Sequence, residues 1–281
     1  MKNEAVKIYQ SNTINLLMQF DTKHDKPYGN AFQREYCLGT SGNELYISVS
    51  SPHSYSGDLT MDDFAFTGTT HRLLTYIREL YTMRMTENID FSVKDYMVRC
   101  GLKDRKQARK QLERDLFALL SVVYTTQHGR AAILDSYEMH HGRVYAVLNQ
   151  GFIAEMAKQD YFLLPMEYFS LDRQRFNYAP ALLYYMVMLR YFNSKKSNKN
   201  RISIRSLVAF AKFPTIEEVR STRNNSIRGR IVEPFFRNLN ALSGVARLHF
   251  YDERKNKLTQ QEVQALQYDD MLRVIIHIEW K

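Results

Sequence analysis

The segment "RGRIVEPFFRNLNALSG", residues 228–244, decides the fold because it combines an apolar stripe, several arginines and a proline within one helical pattern. Arg230 and Arg237 fall off the stripe, and Arg223 precedes Arg230 by seven residues. A helix that begins early enough to include Arg223 would carry three guanidinium groups along one edge. The stripe recurs at spacings of four, four, four and three, which directs it at a core; it consists of Ile227, Ile231, Phe235, Leu239 and Leu242.

Pro234 interrupts this pattern, since proline lacks an N–H and its ring collides with the carbonyl of residue 230, at a cost of about 3 kcal/mol. A bend would relieve the clash, keep the carboxyl half in the core and tilt the amino half, residues 223–230, towards a ligand. Asn and Arg can bond adenine and guanine edges, and a helix amino end attracts phosphate. In the alternative, one helix ends near Gly229 and Pro234 begins a second at its first position.

The positive charge of the chain is concentrated in one region. The formal net charge is +9, and residues 190–230 hold eleven Lys and Arg against two Glu, whereas residues 1–67 hold five basic and eight acidic side chains. A basic stripe within a folded domain favours a polyanionic partner, nucleic acid first and anionic lipid second. A well-solvated basic surface is the alternative.

Length and composition indicate a globular protein. A chain of 281 residues with 44% apolar residues can bury a sizeable core and is long enough for two domains. It has no apolar run long enough to span a membrane, and its first ten residues lack the apolar region of a signal peptide, so we expect a cytoplasmic protein. Cys37 and Cys100 lie in no C-x-x-C pattern, so we expect reduced thiols.

The order of predicted elements occurs twice along the chain. A helix near 70–85 precedes an extended stretch, a short helix with Ser92 as N-cap and Gly101 as stop, and a helix whose apolar stripe includes Leu112 and Leu116. Residues 121–129 and 142–149 then read as the two strands of a β-wing. A second series begins with the apolar helix containing Pro180, includes a capping box from Thr215 to Glu218, and ends in alternating strands.

This order predicts an α+β, mainly helical fold of two tandem winged helix-turn-helix domains with β-wings. The expected divisions are an amino-terminal arm with strands, partly irregular, over 1–64, a first winged-helix domain over 65–165 and a second over 166–281. One mixed α/β domain is the alternative. The last strand is expected to present Leu272, Val274, Ile276, Ile278 and Trp280 on one face, with Tyr268, Asp269 and Asp270 in a turn before it.

The sequence does not support an enzyme. No glycine is followed by lysine, which excludes a Walker A loop. No His-x-His pair is present, so the paired metal ligands of rolling-circle nicking enzymes are missing. Neighbouring residues in a strand point to opposite faces, so His140 and His141 cannot readily bind one metal ion together. We interpret them as turn residues. We therefore expect no catalytic residues, no metal and no cofactor.

Residues 227–253, followed by "VIIHIEW", resemble the carboxyl-terminal winged helix of the plasmid initiator Rep proteins that bind iterons. Five positions match the family pattern of Arg-Val/Ile, Pro and Leu/Ile-Asn: Arg230, Ile231, Pro234, Leu239 and Asn240. The likeness covers roughly residues 65–281 and includes a Leu183–Tyr184 pair in the first helix of the second domain. It departs from the family at Asn238, where an acidic residue is usual, and at an insertion over 253–270.

The resemblance implies a sequence-specific DNA-binding initiator at a plasmid or mobile-element origin in a bacterium. It implies double-stranded DNA with origin repeats as the partner, self-association through the first domain, host replication proteins as further partners, and no membrane. The implied DNA-binding residues comprise a reading set (Arg223, Asn224, Asn225, Ser226, Arg228, Arg230, Arg237), a backbone-holding set (Lys195, Lys196, Lys199, Arg201, Arg205), a first-domain set (Lys103, Arg105, Lys106, Arg109, Lys110) and a wing tip (Arg254, Lys255, Lys257).

Two alternatives to an initiator remain. A transcriptional regulator could use the same two modules on a promoter, and tandem repeats in the target favour an initiator whereas a single palindrome favours a regulator. A primase accessory protein would need a cluster of catalytic acids, which the sequence does not supply. For each candidate cation the alternative is a solvated surface residue, because phosphate contacts position a protein without specifying a sequence.

Overall fold

The protein is described by a computed structural model over residues 5–9, 11–22, 28–29, 33–40, 43–50, 66–126, 129–157, 161–223 and 225–281. It divides into two compact units, an amino-terminal unit of Val6–Phe162 and a carboxyl-terminal unit of Leu163–Lys281 with Ala5. Helices hold more of the described residues than strands do, and the fold is α+β, as the sequence predicted.

The first part of the chain, as far as Pro165, holds five helices and ten strands among the described residues. Its elements are β1 (Ala5–Tyr9), α1 (Asn12–Leu17), β2 (Tyr28–Gly29), β3 (Gln33–Thr40), β4 (Asn43–Ser50), α2 (Gly68–Arg84), β5 (Asn88–Ser92), α3 (Val93–Arg99), α4 (Arg105–Ser121), β6 (Val122–Thr126), β7 (Gly129–Ala132), β8 (Leu134–His140), β9 (Arg143–Leu148), α5 (Gln150–Ala157) and β10 (Tyr161–Pro165). β1 and β10 each extend across the boundary of the amino-terminal unit.

The helices α2, α3 and α4 follow the sequence signals closely. Ser92 caps α3 by accepting a hydrogen bond from the Asp95 N–H at 3.0 Å, and Gly101 follows the helix with a φ of 63°. Glycine adopts this left-handed conformation without steric cost, which is why the helix stops there. The stripe of α4 that includes Leu112 and Leu116 is fully buried.

Two antiparallel sheets flank these helices, and their pairing corrects one prediction. β6 pairs with β4 and β7 in the sheet β2-β3-β4-β6-β7, so residues 121–129 are not a wing strand. The partner of β9 is instead β8, in the sheet β5-β9-β8. The sequence analysis did not recognise β8 as a strand. Its outward positions Ser136 and Glu138 are polar and its inward side is only partly buried, so the alternation of apolar and polar residues is weak.

A buried polar cluster joins the start of α2 to α4. The carboxylate of Asp115, 2% exposed, accepts hydrogen bonds from the hydroxyls of Thr69 and Thr70, both at 2.9 Å, and from Nε2 of Gln111 at 3.2 Å. Burial raises the pKa of Asp115 to about 6, and the three hydrogen bonds and Arg72 lower it only in part. The carboxyl group of Asp115 therefore stays neutral up to a higher pH in the folded protein than in the unfolded chain.

We expect the free energy of unfolding to fall as the pH rises from about 4 to about 6, and Asp115→Asn to remove this decrease. The pKa of Asp115 is higher in the folded than in the unfolded chain, so ionisation disfavours the folded state by about 3 kcal/mol once it is complete. Urea unfolding at pH 4.5 and pH 7 measures this effect. Glu113→Gln, which removes an exposed carboxyl group from the same helix, is the control; equal pH slopes for wild type and Asp115→Asn would contradict the assignment.

The carboxyl-terminal unit repeats part of this order with additional short helices. Its elements are α6 (Glu167–Ser170), α7 (Ala179–Phe192), β11 (Arg201–Ser203), α8 (Ile204–Phe210), α9 (Ile216–Arg220), a π-helical turn (Arg228–Val232), α10 (Glu233–Asn240), β12 (Ala246–Tyr251), β13 (Lys257–Leu258), α11 (Gln260–Ala265), α12 (Tyr268–Arg273) and β14 (Ile275–Trp280). Pro180 lies in the first turn of α7, and the capping box from Thr215 to Glu218 begins α9.

The carboxyl-terminal sheet has the order β11-β14-β12-β13. The strand that comes first in the chain, β11, pairs with the last strand, β14, and β14 also pairs with β12. The sheet β5-β9-β8 is arranged in the same way, since β9 comes last in the chain and lies between the two earlier strands. Ile276 and Ile278 are buried on one side of β14, as predicted, and Trp280 is partly buried. Val274 is buried too, but it follows α12 and precedes the strand. The core of this unit lies between the sheet and α7, α8 and α10.

Two expectations near β14 are wrong. Tyr268, Asp269 and Asp270 begin helix α12 and do not form a turn, and Leu272 lies in that helix and not on the strand. The apolar alternation that placed Leu272 in the strand continues by chance into α12. Asp269 and Asp270 stabilise the first turn of this helix, because negative charges are favoured near its positive amino end. The insertion over 253–270 holds β13, α11 and the start of α12.

Candidate nucleic-acid interface

Residues 227–240 form one continuous helix, from Ile227 to Asn240, which we call the candidate reading helix. Ser226 caps it: its carbonyl accepts from the Arg230 N–H at 2.9 Å and its Oγ accepts from the Gly229 N–H at 3.1 Å. The helix begins after Arg223, so the expected edge of three arginines is wrong because Arg223 lies in the preceding turn.

A π-helical turn accommodates Pro234 within this helix. The Glu233 N–H bonds the Arg228 carbonyl, five residues back, so the backbone just before the proline is wider than an α-helix. Proline cannot donate to the carbonyl of residue 230, and the π-helical turn supplies a different pattern of hydrogen bonds at that point. The alternative is correct in one part, because Pro234 lies in the first turn of α10. It is wrong in the other part, because Gly229 lies inside the π-helical turn and no helix ends there.

The spacing of the apolar stripe accounts for the same turn. In an α-helix of 3.6 residues per turn, each step of four residues overshoots a full turn by about 40°. Three successive steps of four would move the stripe well away from the core. The wider turn over Arg228–Val232 reduces this drift, and Ile231, Phe235 and Leu239 are all buried. Phe235 packs edge-on against Phe213 with ring centroids 5.7 Å apart.

The opposite face of the candidate reading helix is exposed and polar. Arg230, Glu233, Arg237 and Asn240 recur at spacings of three, four and three, and all four side chains are exposed. A surface cavity of about 440 Å³ lies beside them, bordered by Glu233, Arg237, Asn240 and the inserted helix α11. The insertion thus borders this face and leaves it accessible.

Asn238 fixes the position of the candidate reading helix within its unit. It is fully buried, and its Oδ1 accepts hydrogen bonds from the N–H groups of Tyr178 and Ala179, at 2.9 and 2.8 Å, at the start of α7. Its Nδ2 donates to the carbonyl of Pro234 at 2.8 Å. An acidic side chain would supply the same acceptor to α7, which explains how asparagine substitutes at the position where the resembling family has an acid.

The remaining members of the reading set lie at or before the helix cap. Asn225 and Arg223 are exposed, and Asn224 lies outside the described residues. Arg228 is exposed and its Nε lies 3.4 Å from Oε1 of Glu233, with both side chains 65% exposed. This is the one ion pair in which the structure records a described member of the candidate sets. Because exposed pairs contribute about 1 kcal/mol or less, Arg228 can leave Glu233 at little cost.

The backbone-holding set lies on three consecutive elements of the same unit. Lys195, Lys196 and Lys199 are exposed in the turns between α7 and β11, Arg201 is exposed on β11, and Arg205 is exposed in the first turn of α8. The set is therefore continuous along the chain and exposed throughout.

The wing-tip set lies in a tight turn between β12 and β13. Asp252 organises this turn by accepting hydrogen bonds from the N–H and Nδ2 of Asn256, at 2.7 and 2.8 Å. These bonds, with Arg254 nearby, lower the pKa of Asp252. Lys255 has a φ of 67°, and all three cations of the set are exposed: Arg254, Lys255 and Lys257.

In the amino-terminal unit, the candidate cations lie at the start of α4. Lys103, Arg105, Lys106, Arg109 and Lys110 are all exposed, and Asp104 between them caps α4 by accepting from the Gln107 N–H at 3.0 Å. Nη2 of Arg105 lies within 3.4 Å of the position that a Cβ on Gly142 would occupy, so Arg105 reaches the tip of the β8–β9 hairpin.

Sequence reasoning missed three polar residues near these sets. Tyr145 on β9 is 40% exposed and stacks on His140 with ring centroids 4.9 Å apart, at the tip of the β8–β9 hairpin. Arg143 beside it is bound to Asp90, which also accepts from Arg84 at 2.8 Å. Glu233 was missed because the candidate sets hold only cations and neutral polar residues. Its position between Arg230 and Arg237 in the sequence already indicated that it shares their exposed helix face.

The structure gives two further findings on the kinds of site present. Within the described ranges, no group of three or more His, Cys, Asp or Glu side chains is arranged to hold a metal ion. None of the helices in those ranges combines the length and the apolar character needed to cross a bilayer. His140 is the last residue of strand β8 and not a turn residue, whereas His141 lies in the β8–β9 turn, as predicted, with a φ of 50°.

Comparison with known proteins defines the fold. No protein-family model matches the chain, and no curated protein matches it in sequence. It is similar to the Pi initiator protein crystallised in complex with iteron DNA, with 8% identity and a TM-score of 0.52 over 100% of this chain and 98% of that chain. Two crystal structures of domains 2 and 3 of RctB are also similar, with TM-scores of 0.47 and 0.46 and identities of 14% and 11%; they cover 96% and 95% of this chain, and 97% and 98% of theirs.

The class that the fold defines is therefore that of α+β proteins built like the Pi initiator. The likeness extends over the whole chain and so includes both units. At this identity it shows the fold, and the bound iteron DNA is a property of the Pi structure.

Proposed function

We propose that this chain is a sequence-specific double-stranded DNA-binding protein that acts as a replication initiator at a plasmid or mobile-element origin and binds repeats of the iteron type. The observation that carries the proposal is the likeness of the whole chain to the Pi initiator, whose structure contains iteron DNA. The exposed cation sets of both units supply the positive charge that binding to the phosphate backbone requires.

In this proposal each unit contains a winged helix. In the amino-terminal unit it consists of α2, β5, α3, α4, β8 and β9, and in the carboxyl-terminal unit of α7, β11, α8, α10, β12 and β14. The common strand order of the two sheets supports this assignment. The helix before the wing is the element that enters the major groove in helix-turn-helix proteins, which makes the candidate reading helix the base-reading element.

The protein acts by binding and not by catalysis. Its exposed cations fall into base-reading and backbone-holding sets, which are the two kinds of contact that a DNA-binding protein makes. Self-association through the amino-terminal unit is part of the proposal; Met83, Met85 and Val98 there are more than 60% exposed and offer apolar surface for it. Sedimentation velocity with and without DNA tests this part.

Selection of bound sequences from random duplex DNA tests the proposed function. An initiator is expected to select sites that recur in tandem at its origin, spaced by about two helical turns. Selection of a single palindrome would indicate a transcriptional regulator instead, and failure to enrich any sequence would contradict sequence-specific binding altogether.

We expect Arg230→Ala to weaken binding to the selected site by about 1 to 3 kcal/mol and to relax its sequence preference, because arginine bonds guanine edges. Lys199→Ala serves as the matched control, since it removes an exposed cation from the backbone-holding set and is expected to weaken selected and random duplexes alike. Fluorescence anisotropy on both duplexes measures the difference. Equal effects of the two substitutions on both duplexes would show that the candidate reading helix does not read bases.

A further inference from the structure

The exposed face of the candidate reading helix carries one carboxylate among its cations. Glu233 lies midway between Arg230 and Arg237, is 65% exposed, and pairs with Arg228 at 3.4 Å. A carboxylate on a surface that approaches DNA is repelled by the phosphates, so it weakens binding unless it meets a hydrogen-bond donor.

The major groove offers a carboxylate few donors. Guanine presents the acceptors N7 and O6, and thymine presents O4, so these bases repel a carboxylate. Adenine presents its N6 amino group directly beside the acceptor N7. Cytosine presents the N4 amino group and no acceptor on its own edge, with O6 of the paired guanine as the nearest acceptor, and it is the base that glutamate recognises in known complexes.

We propose that Glu233 selects a cytosine in the bound DNA by accepting a hydrogen bond from its N4 amino group. This inference rests on the proposed function and names the base that one residue of the candidate reading helix recognises. Glu233 attracts cytosine and repels guanine and thymine. A negative charge that lowers the affinity for DNA in general can in this way increase the specificity for one base.

Arg228 supports this role in the free protein. Its Nε lies 3.4 Å from Oε1 of Glu233, on the exposed side of the π-helical turn. The pair is weak because both side chains are well solvated, so the carboxylate is free to bond the base when DNA approaches. Arg228 is then available to contact a phosphate or a neighbouring guanine.

The test is selection from random duplex DNA with wild type, Glu233→Gln and Glu233→Ala. Wild type is expected to select cytosine at one position of its site. Glu233→Gln is expected to select adenine at that position, because the amide bonds N6 and N7 together. Glu233→Ala is expected to lose preference there, with discrimination against the other bases falling roughly 5- to 100-fold and with tighter binding to random duplex. Preferences at all other positions should persist.

Asp269→Asn, which removes an exposed carboxylate from α12, is the control for loss of one negative charge. The inference is overturned if wild type enriches a site and both Glu233 variants enrich the identical site. If wild type enriches no site, the proposed function itself fails, and the two outcomes are distinguished by the wild-type result alone.

Discussion

Raising the salt concentration from about 50 to about 200 mM is expected to weaken binding to duplex DNA on the order of a thousandfold. Each phosphate that a Lys or Arg neutralises releases a counterion, and six or more such contacts give an effect of this size. The carboxyl-terminal unit alone offers more exposed cations than this number requires, in the reading, backbone-holding and wing-tip sets. Anisotropy titrations at four or more salt concentrations measure the slope.

The same titrations assign individual contacts. Lys199→Ala is expected to reduce the slope by about one unit, because it removes one phosphate contact. Arg273→Ala, an exposed cation of α12 outside the candidate sets, is the control and should leave the slope as in wild type. A slope near zero for wild type would mean that the candidate cations are solvated surface.

Replacing Asn238 with alanine is expected to lower the free energy of unfolding by about 3 to 5 kcal/mol. The substitution leaves the N–H groups of Tyr178 and Ala179 and the carbonyl of Pro234 without the hydrogen bonds that they make at 2.8 to 2.9 Å. Each buried group left unsatisfied costs about 1 to 3 kcal/mol. Urea unfolding followed by circular dichroism measures the loss.

Two further variants isolate the cause. Asn238→Asp keeps the acceptor for α7 and is expected to lose less stability, because a negative charge is favoured at the amino end of a helix. Asn240→Ala, two residues later and exposed, is expected to change the free energy of unfolding by no more than about 0.5 kcal/mol. Equal losses for Asn238→Ala and Asn240→Ala would show that the buried amide does not hold the helix in place.

Local signals in the sequence were sufficient for helices such as α2, α3, α4, α7 and α9, but not for α1, α6, α11 and α12. The caps at Ser92 and Thr215, the stop at Gly101 and the stripe of α4 each depend on residues within a few positions of one another, and all were predicted. The strand partners were harder, because pairing joins residues far apart in the chain. Nothing within β6 indicates that it pairs with β4, some 75 residues earlier.

The candidate reading helix shows the same division between local and distant information. Its apolar stripe and exposed Arg230 followed from spacing alone, and the unusual steps of four residues contained the signal for a π-helical turn. The start of the helix after Arg223 depends on the hydrogen bonds of Ser226. The role of Asn238 could not be predicted, since its partners lie about 60 residues earlier, at the start of α7.

In the proposed complex the exposed face of the candidate reading helix lies in the major groove of duplex DNA. Methylation of guanine N7 by dimethyl sulphate tests this placement directly, because that atom is exposed only in the major groove. We expect the wild-type protein to protect guanines within its selected site, and Arg230→Ala to restore the reactivity of one guanine while the others stay protected. Unchanged reactivity of every guanine in the presence of saturating protein would contradict it.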